Sequence, residues 1–310
     1  MLASALIRAQ GIEVQALFFE TPFFPSIKAV RSAETINLPI KVMDITERHL
    51  EVVKKPKHGY GENMNPCIDC HTLMLRTAGE MLQEEKANFI ISGEVLGQRP
   101  MSQNRKALSL IAYESGFDGL ILRPLSAKHL PLTIPEKQGW INRDELMDFS
   151  GRSRKPQMKL AKKFNIKEYP SPAGGCLLTD VVFSRRLKDL FSCGPNIERR
   201  EIELLRVGRH FRLGSKEKLI VGRNKKENQA ISSLSKEGDL LFTTVSVPGP
   251  TALAIGKFSD ESEELATIIV VSYSDADDNE MAEVRLRTKG KDKLLKAKGR
   301  GKNEFKKYMI

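Results

Sequence analysis

Three cysteines have the spacing and surroundings for sulfur or metal chemistry. Cys67 and Cys70 stand two residues apart in Asn65-Pro66-Cys67-Ile68-Asp69-Cys70-His71, and Cys176 follows Gly174-Gly175. A CxxC pair of this kind can hold zinc or an iron–sulfur cluster, or it can act as a redox or persulfide pair. Three sulfurs suit a [4Fe–4S] cluster with one open iron better than structural zinc, which prefers four protein ligands. The sequence therefore predicts a three-cysteine site at Cys67, Cys70 and Cys176.

The neighbours of these cysteines refine the prediction. Asn65-Pro66 predicts a turn that holds Cys67 ahead of a helix, and a helix N-terminus lowers the pKa of a nearby thiol. His71 is awkwardly placed as a fourth ligand because it directly follows Cys70. Cys193, the fourth cysteine, is interpreted as an ordinary small hydrophobic residue.

Two further stretches could bind phosphate. The run from Ser92 to Ser102 follows a predicted strand, and its glycines, hydroxyls and backbone N–H groups at a helix start suit a nucleotide. An ordinary loop is the alternative interpretation. Arg152-Ser153-Arg154-Lys155 opens a predicted helix and is either a phosphate contact or solvated surface.

Helices and strands alternate in the part of the chain that positions these motifs. Helices are predicted at 2–9, 26–36, 46–53, 70–84, 103–114, 143–149 and 155–164, with strands at 13–19, 40–43, 88–93 and 119–122. Such alternation indicates an α/β domain with a parallel sheet and crossover helices. Ligands bind beyond the C-terminal ends of the strands in these sheets, where the sequences around Ser92 and Arg123 fall.

The second half has short strand-like pieces at 205–213, 218–224 and 239–243, and a predicted helix at 262–272. It is interpreted as a smaller α+β domain. The predicted organisation is a first domain at 1–192, a second at 200–284 and a basic tail at 285–310.

Composition and charge limit the class of protein. The chain has 310 residues, enough for two domains, and no apolar run long enough to span a membrane. Its N-terminus lacks the layout of a signal peptide, and four cysteines are too few for a secreted disulfide scaffold, so a cytoplasmic protein is expected. The net charge is +11, and the segment from Arg285 onward holds eleven Lys or Arg against two acidic residues. That run is interpreted as a contact for a polyanion or as a solvated, disordered end.

Residues 63–180 resemble the PP-loop ATP-pyrophosphatase tRNA thiolases, the family of 2-thiouridylases and 4-thiouridine synthases. The resemblance rests on Asn65-Pro66-Cys67-x-x-Cys70, the run Ser92–Ser102, Arg123-Pro124-Leu125-Ser126, Gly151-Arg152-Ser153-Arg154 and Pro172-Ala173-Gly174-Gly175-Cys176. Residues 206–252 resemble the NFACT RNA-binding domain through Val207-Gly208-Arg209-His210-Phe211-Arg212, Val221-Gly222-Arg223-Asn224 and Pro248-Gly249-Pro250-Thr251-Ala252.

The resemblance implies a reaction and a set of site residues. ATP, with Mg²⁺, adenylates a uridine carbonyl oxygen of tRNA, and a sulfur species then displaces AMP. Cys67, Cys70 and Cys176 hold a [4Fe–4S] cluster whose open iron carries the sulfur, or one cysteine carries a persulfide and another resolves it, parts that Cys67 or Cys70 would share with Cys176. The sulfur comes from a donor protein or from sulfide. Residues expected at the nucleotide are Ser92, Gly93, Gln98, Arg99 and Ser102; those expected on RNA are Arg209, Arg212, Arg223, Lys289, Lys291 and Lys293.

The sequence departs from this family at one motif. The Ser-Gly-Gly-x-Asp-Ser loop that cradles the pyrophosphate of ATP does not occur in the 310 residues, and Met1 falls where the helix after that loop would start. We therefore expect a PP-loop (adenine nucleotide alpha hydrolase-like) sheet without its first strand. Two alternatives to tRNA thiolation stay open: a non-catalytic RNA-binding protein with a degenerate PP-loop domain, and the same fold with a structural zinc site.

Overall fold

The computed structural model describes residues 1–169, 175–277, 280–288 and 290–310, and these form two compact units, Met1–Thr179 and Asp180–Ile310. The division falls one helix earlier than the sequence indicates. Helix Val181–Ser192 lies in the second unit because the guanidinium of Arg186 donates to the carbonyl oxygens of Leu205 and Gly208, at 2.8 and 3.0 Å.

The first unit alternates helices and strands, as the sequence predicts. Its helices are α1 (Leu2–Arg8), α2 (Ile27–Glu34), α3 (Thr46–Lys54), α4 (Cys67–Glu80), α5 (Arg105–Ser115), α6 (Ile134–Lys137) and α7 (Lys155–Lys163). Its strands are β1 (Ala16–Glu20), β2 (Ile40–Asp44), β3 (Ile90–Ile91) and β4 (Ile121–Leu122). The pairing is parallel, but β1 pairs with β2 and β3 with β4 in two separate sheets. The described residues thus form two parallel pairs rather than the single sheet expected.

Helix α4 packs against both strand pairs. Leu73 lies in a cluster with Phe19 of β1 and Ile45, whereas Leu75 packs against Ile90 and Ile121 of the other pair. Ala78 belongs to both clusters. On the same helix, a Cβ atom added to Gly79 would come within 2.1 Å of the Phe117 ring, so only glycine permits this approach. Helix α4 therefore holds the unit together.

The helix predicted at 143–149 is wrong beyond its first turn. A 3₁₀ helix covers Arg143–Glu145, where the Asn142 side chain accepts the N–H of Asp144 at 3.0 Å. The N–H groups of Met147 and Phe149 then donate to Pro124 and Leu125 of the segment after β4. These bonds replace the helical ones and bring the segment around residue 150 beside the end of β4.

The second unit is an α+β domain, as expected. Its helices are α8 (Val181–Ser192), α9 (Arg199–Leu204), α10 (Lys225–Ser233) and α11 (Asp260–Ser272). Its strands are β5 (Arg209–Arg212), β6 (Lys218–Val221), β7 (Leu240–Thr244), β8 (Thr251–Ile255), β9 (Met281–Thr288) and β10 (Lys291–Lys298). They form one antiparallel sheet in the order β10-β9-β7-β8-β6-β5. Helix α11 covers one face, and Leu204 and Ile231 of α9 and α10 pack on the other.

The described residues of the basic segment belong to this sheet. Ala282, Val284 and Leu286 of β9 are buried, while Glu283, Arg285 and Arg287 alternate with them on the other face. This period of two is the signature of a strand with one buried face. Strand β10 continues the sheet, and a 3₁₀ helix at Lys302–Tyr308 follows it, anchored by the buried Phe305. The interpretation of residues 285–310 as a disordered end is therefore wrong for these described residues.

Candidate functional site

Two cysteines occupy the first turn of α4. The helix begins at Cys67, with Pro66 at its N-cap, so the predicted start at Cys70 is one turn too late. The side-chain amide of Asn65 donates to Cys67 Sγ at 3.2 Å. This hydrogen bond fixes the Cys67 side chain at the N-terminus of the helix.

Cys70 is buried against a histidine that the sequence analysis did not single out. His49 Nε2 lies 2.9 Å from Cys70 Sγ, and the imidazole is fully buried between the ring edges of Phe23 and Phe24. Burial lowers the pKa of His49 to about 4. Burial, reinforced by the neighbouring Cys176 and Cys67, raises the pKa of Cys70 well above its usual range. The pair is therefore a neutral thiol beside a neutral imidazole at pH 7.

Cys176 comes close to the α4 cysteines through a short 3₁₀ helix, Leu177–Thr179. That helix is fixed by the N–H of Leu177, which donates to the carbonyl of Phe23 at 3.1 Å. Burial raises the pKa of Cys176 to about 11; negative charge on Cys67 acts in the same direction, while the Leu178 N–H and Arg99 oppose it. Cys67, Cys70 and Cys176 thus share one electrostatic neighbourhood. Pro172, Ala173 and Gly174 of the resemblance lie outside the described residues.

The described residues show no ready-made metal centre. Over residues 1–169, 175–277, 280–288 and 290–310, no three His, Cys, Asp or Glu side chains are grouped to hold a metal ion. The [4Fe–4S] cluster expected at Cys67, Cys70 and Cys176 and the alternative zinc site stay predictions. All four cysteines are free thiols.

A buried carboxylate joins the ends of β3 and β4 to α4. Glu94 accepts a hydrogen bond from Arg123 Nε at 2.9 Å, and its other oxygen lies 2.8 Å from Nδ1 of His71. Burial alone would raise the pKa of Glu94, but His71 and Arg123 outweigh it and lower that pKa to about 2. His71, one helical turn after Cys67, is thereby held in a fixed orientation at the half-exposed surface. The sequence analysis considered His71 an awkward fourth ligand but gave no indication of its contact with Glu94.

A cavity of about 320 Å³ lies beside these strand ends within the first unit. Two predicted nucleotide residues, Gly93 and Gln98, line it together with Arg154, whose position at the start of α7 the sequence marked as a possible phosphate contact. Leu125, Ala161 and Ile166 give it an apolar wall. Gln157 also lines it, and the buried Oε1 of that side chain has no hydrogen-bond partner in the described part of the chain.

The other three predicted nucleotide residues lie elsewhere. Ser102 is almost completely buried, and Ser92 accepts the N–H of Glu94 at 3.3 Å. The positive charge of Arg99 acts to lower the pKa of Cys176, so Arg99 lies near that thiol. Of the five predicted residues, Gly93 and Gln98 therefore line the cavity and Arg99 lies near Cys176, while Ser92 and Ser102 do neither.

The residues predicted to contact RNA differ in whether they already form an ion pair with a carboxylate of the protein. Arg212 makes a two-pronged ion pair with Asp189, at 3.0 and 2.6 Å, and Arg223 pairs with Glu227. Lys293 lies 3.6 Å from Glu263. Arg209 lies over the ring of Tyr273, and Lys291 is exposed. Lys289 is outside the described residues.

The chain consists of an α/β unit that holds the three cysteines and a second unit built on a sheet with many basic residues. Comparison with known families gives one match in each unit. Residues 2–129 match the model of the family described as thiamine biosynthesis protein (ThiI), and residues 208–309 match that of the NFACT protein RNA binding domain. The chain therefore joins a ThiI-type domain to an NFACT-type RNA-binding domain, which confirms the resemblance.

Other comparisons add little. No curated protein matches the chain in sequence. A solved structure, the C-terminal part of the fibronectin/fibrinogen-binding protein from Streptococcus suis, is similar over 85% of this chain and 98% of its own, at 14% identity and a TM-score of 0.30. That score is too low to support an argument.

Among the described residues, no helix has the length and apolar character needed to cross a membrane.

Proposed function

We propose that this protein thiolates a uridine of tRNA, by ATP-dependent adenylation of a carbonyl oxygen followed by sulfur transfer. The observation that carries the proposal is that Cys67, Cys70 and Cys176, from distant parts of the sequence, lie close enough to influence one another's pKa, in a unit that also contains a cavity of about 320 Å³. The ThiI and NFACT matches support it. The proposal includes a cytoplasmic location and a sulfur donor protein or sulfide as the source of sulfur.

ATP is the activating substrate. A uridine carbonyl is a poor electrophile until its oxygen becomes a leaving group. The oxygen attacks the α-phosphorus of ATP, the bond to pyrophosphate breaks, and an O-adenylate forms. In the cavity, Arg154 would meet phosphate, with Mg²⁺ accompanying it. The apolar wall of Leu125 and Ile166 suits the adenine base, and Gln157 Oε1 could accept a hydrogen bond from its amino group.

The thiols then complete the exchange. The terminal sulfur of a persulfide on Cys67 adds to the activated carbon, its proton is released, and AMP leaves with the oxygen. The Cys176 thiol attacks Cys67 Sγ, its proton passes to the departing thiouridine, and the sulfur–sulfur bond breaks, which leaves a Cys67–Cys176 disulfide. A cellular dithiol reduces that disulfide before the next turnover. Cys70, held neutral against His49, supports the site without serving as the nucleophile.

The decisive assay measures thiouridine in unmodified tRNA supplied with ATP, Mg²⁺ and a persulfide donor. Cys67→Ser and Cys176→Ser should each lose at least about 100-fold in rate, because each removes a bond-forming sulfur. Cys193→Ser is the matched control, since Cys193 lies in the second unit against Asp189 and Arg212, and it should retain the wild-type rate. Equal rates in all three variants would refute the thiol mechanism.

Metal content separates the thiol mechanism from the cluster and zinc alternatives. After anaerobic reconstitution, the persulfide mechanism predicts less than one iron and one acid-labile sulfide per chain, and no tightly held zinc. Roughly four irons and four sulfides, lost in Cys176→Ser, would instead establish a three-cysteine cluster.

The non-catalytic alternative is tested by pyrophosphate release. A chain that only binds RNA would release none from ATP in the presence of tRNA. In the described residues the strands form two separate pairs, as expected for a sheet without a central strand. This arrangement favours the non-catalytic alternative. Release that depends on Arg154 would support adenylation, so Arg154→Ala should be assayed beside Arg105→Ala, a cation at the start of α5 that does not line the cavity.

A further inference from the structure

Five cations gather at one end of the sheet in the second unit. We define the terminal basic patch as Arg209 of β5 with Arg300, Lys302, Lys306 and Lys307. The two residues after the 3₁₀ helix Lys302–Tyr308 pair with β5, because Met309 bridges to Phe211 and the N–H of Ile310 donates to His210 O at 3.0 Å. The N–H of Arg300 donates to Ser272 Oγ at 2.8 Å. Arg209 and the end of the chain are therefore held side by side.

Two tyrosines hold three of the five cations of this patch. The guanidinium of Arg209 lies 4.7 Å from the centre of the Tyr273 ring, and Lys302 Nζ lies 5.7 Å from the same ring. Lys307 Nζ lies 5.0 Å from the ring of Tyr308. Phe305, 2% exposed, anchors the segment in the core. Cation–π contacts hold these charges without neutralising them, which lowers the entropic cost of binding an anion.

The patch differs from the other basic residues in its ion pairs. Within the described residues, none of its five cations lies within ion-pair distance of a carboxylate, and Glu304 is the one acidic residue of the 3₁₀ helix. Arg212, Arg223 and Lys293 each have a carboxylate partner. An ion-paired arginine must give up its partner to bind a phosphate, whereas a patch cation need not.

A groove of about 490 Å³ on the other face of the sheet is the rival surface. Arg285 and Arg287 line it, but their guanidinium groups lie 3.8 and 3.5 Å from the carboxylate of Asp292. Glu237 also lines the groove. The local charge there is close to balanced. The terminal basic patch therefore complements a polyanion better than the groove does.

We propose that the terminal basic patch is the surface on which the second unit holds the phosphodiester backbone of RNA. This placement deepens the proposed function and rests on its RNA-binding part. Because Arg209 and Lys302 already occupy the Tyr273 ring, that ring is not free to stack on a base, and contact is through phosphates. Affinity is then insensitive to RNA sequence and falls steeply with salt.

The test uses the full chain and an unmodified tRNA transcript, with Kd measured by filter binding between 50 and 200 mM salt. Lys302→Ala combined with Lys307→Ala should weaken binding about tenfold or more and reduce the slope of log K against log salt by about 1.5 to 2. Both side chains are exposed, so the fold should tolerate the change. The matched control combines Lys225→Ala with Lys226→Ala, two exposed cations at the start of α10, and should change Kd less than twofold.

Two more variants separate charge from positioning. Lys302→Arg with Lys307→Arg should retain wild-type affinity, because the cations remain. Tyr273→Leu keeps every charge but removes the ring under Arg209, so it should weaken binding two- to threefold with an unchanged salt slope.

The outcomes distinguish this placement from the proposed function. Wild-type protein that does not bind tRNA would overturn both, as would binding to phosphatidylserine vesicles alone. Tight wild-type binding with an unchanged Kd in the Lys302/Lys307 variant, or an equal loss in the Lys225/Lys226 control, would overturn the placement alone. Tenfold weakening confined to the patch variant supports it.

Discussion

The two units bury their strands in different ways. In the second unit six strands form one hydrogen-bonded sheet, and Phe211, Phe242 and Val284 on its inner face are fully buried against α11. In the first unit the strands form two short pairs, and most residues of β1 and β2 are only half-buried or exposed. A continuous sheet can supply one core, whereas separated pairs depend on a helix between them. The proposed thiol chemistry thus takes place in the unit whose strands do not form one continuous sheet.

The core of the second unit should be the most sensitive to truncation. Phe242→Ala should lower the free energy of unfolding by about 3–5 kcal/mol, because the cavity is enclosed by a sheet and a helix that cannot collapse into it. Phe18→Ala on β1 should lower the free energy of unfolding by only about 1–2 kcal/mol, because Phe18 is only half-buried in the folded protein. Urea unfolding followed by far-UV circular dichroism measures both. Fluorescence of Trp140, the single tryptophan, reports the first unit in particular. Equal losses of unfolding free energy in the two variants would contradict the proposed difference between the two units.

The first unit should nonetheless have one site of comparable sensitivity. Glu94→Gln leaves the buried Arg123 without its counter-charge and should destabilise by on the order of 3 kcal/mol. Glu51→Gln removes the partner of Lys54 in an exposed pair and should cost less than about 1 kcal/mol. The Trp140 transition in urea reads both variants. A small effect at Glu94 would mean that Arg123 finds water or another acceptor.

The same carboxylate sets an acid limit on the first unit. The folded pKa of Glu94 is about 2, below its unfolded value near 4.5, so its stabilisation is complete above pH 4.5 and is lost as pH falls toward 2. Protonation below that window removes on the order of 3 kcal/mol. Stability curves at pH 6, 4 and 3 should show this slope in wild type and a flatter one in Glu94→Gln. Identical slopes would assign the acid sensitivity to other groups.

The smallest expected difference lies at two helix caps, one in each unit. The Asn104 side chain accepts the N–H of Ala107 at 2.9 Å to cap α5, and Asn224 accepts that of Glu227 at 3.0 Å to cap α10. Alanine at either position should cost about 1 kcal/mol, because a cap bond depends on local geometry rather than on the sheet behind it. Thermal unfolding of the two variants checks this. A markedly larger loss at Asn104 would show that α5 depends on its cap for more than its own first turn.

Local patterns in the sequence predicted much of the fold. The bounds of α1, α3 and α7 agree with prediction to within a residue or two because each has a clear apolar period. The helix expected at 143–149 failed because its backbone donors are taken by Pro124 and Leu125, which no local pattern shows. The disordered alternative for the basic segment was wrong, because high charge density hid the alternation of Val284 and Leu286 with Arg285 and Arg287.

The site was predictable only in part. Cysteine spacing and the Gly-Gly turn indicated which sulfurs belong together. The partner of Cys70 could not be foreseen, because His49 lies on the buried face of a helix and resembles any core histidine. Nor could the Glu94–Arg123 pair, which forms across two strand ends that are distant in sequence. Contacts of this kind depend on tertiary geometry rather than on the residues beside them.

The proximity of Cys67 and Cys176 has a consequence for heat resistance. A disulfide between them, which the proposed resolving step would form, closes a loop of roughly 110 residues and removes that freedom from the unfolded chain, a restriction worth about 4–5 kcal/mol. Protein resting after turnover would then melt at a higher temperature than the same protein freshly reduced. The melting temperature would record the redox history of each molecule, and a dithiol would erase that record.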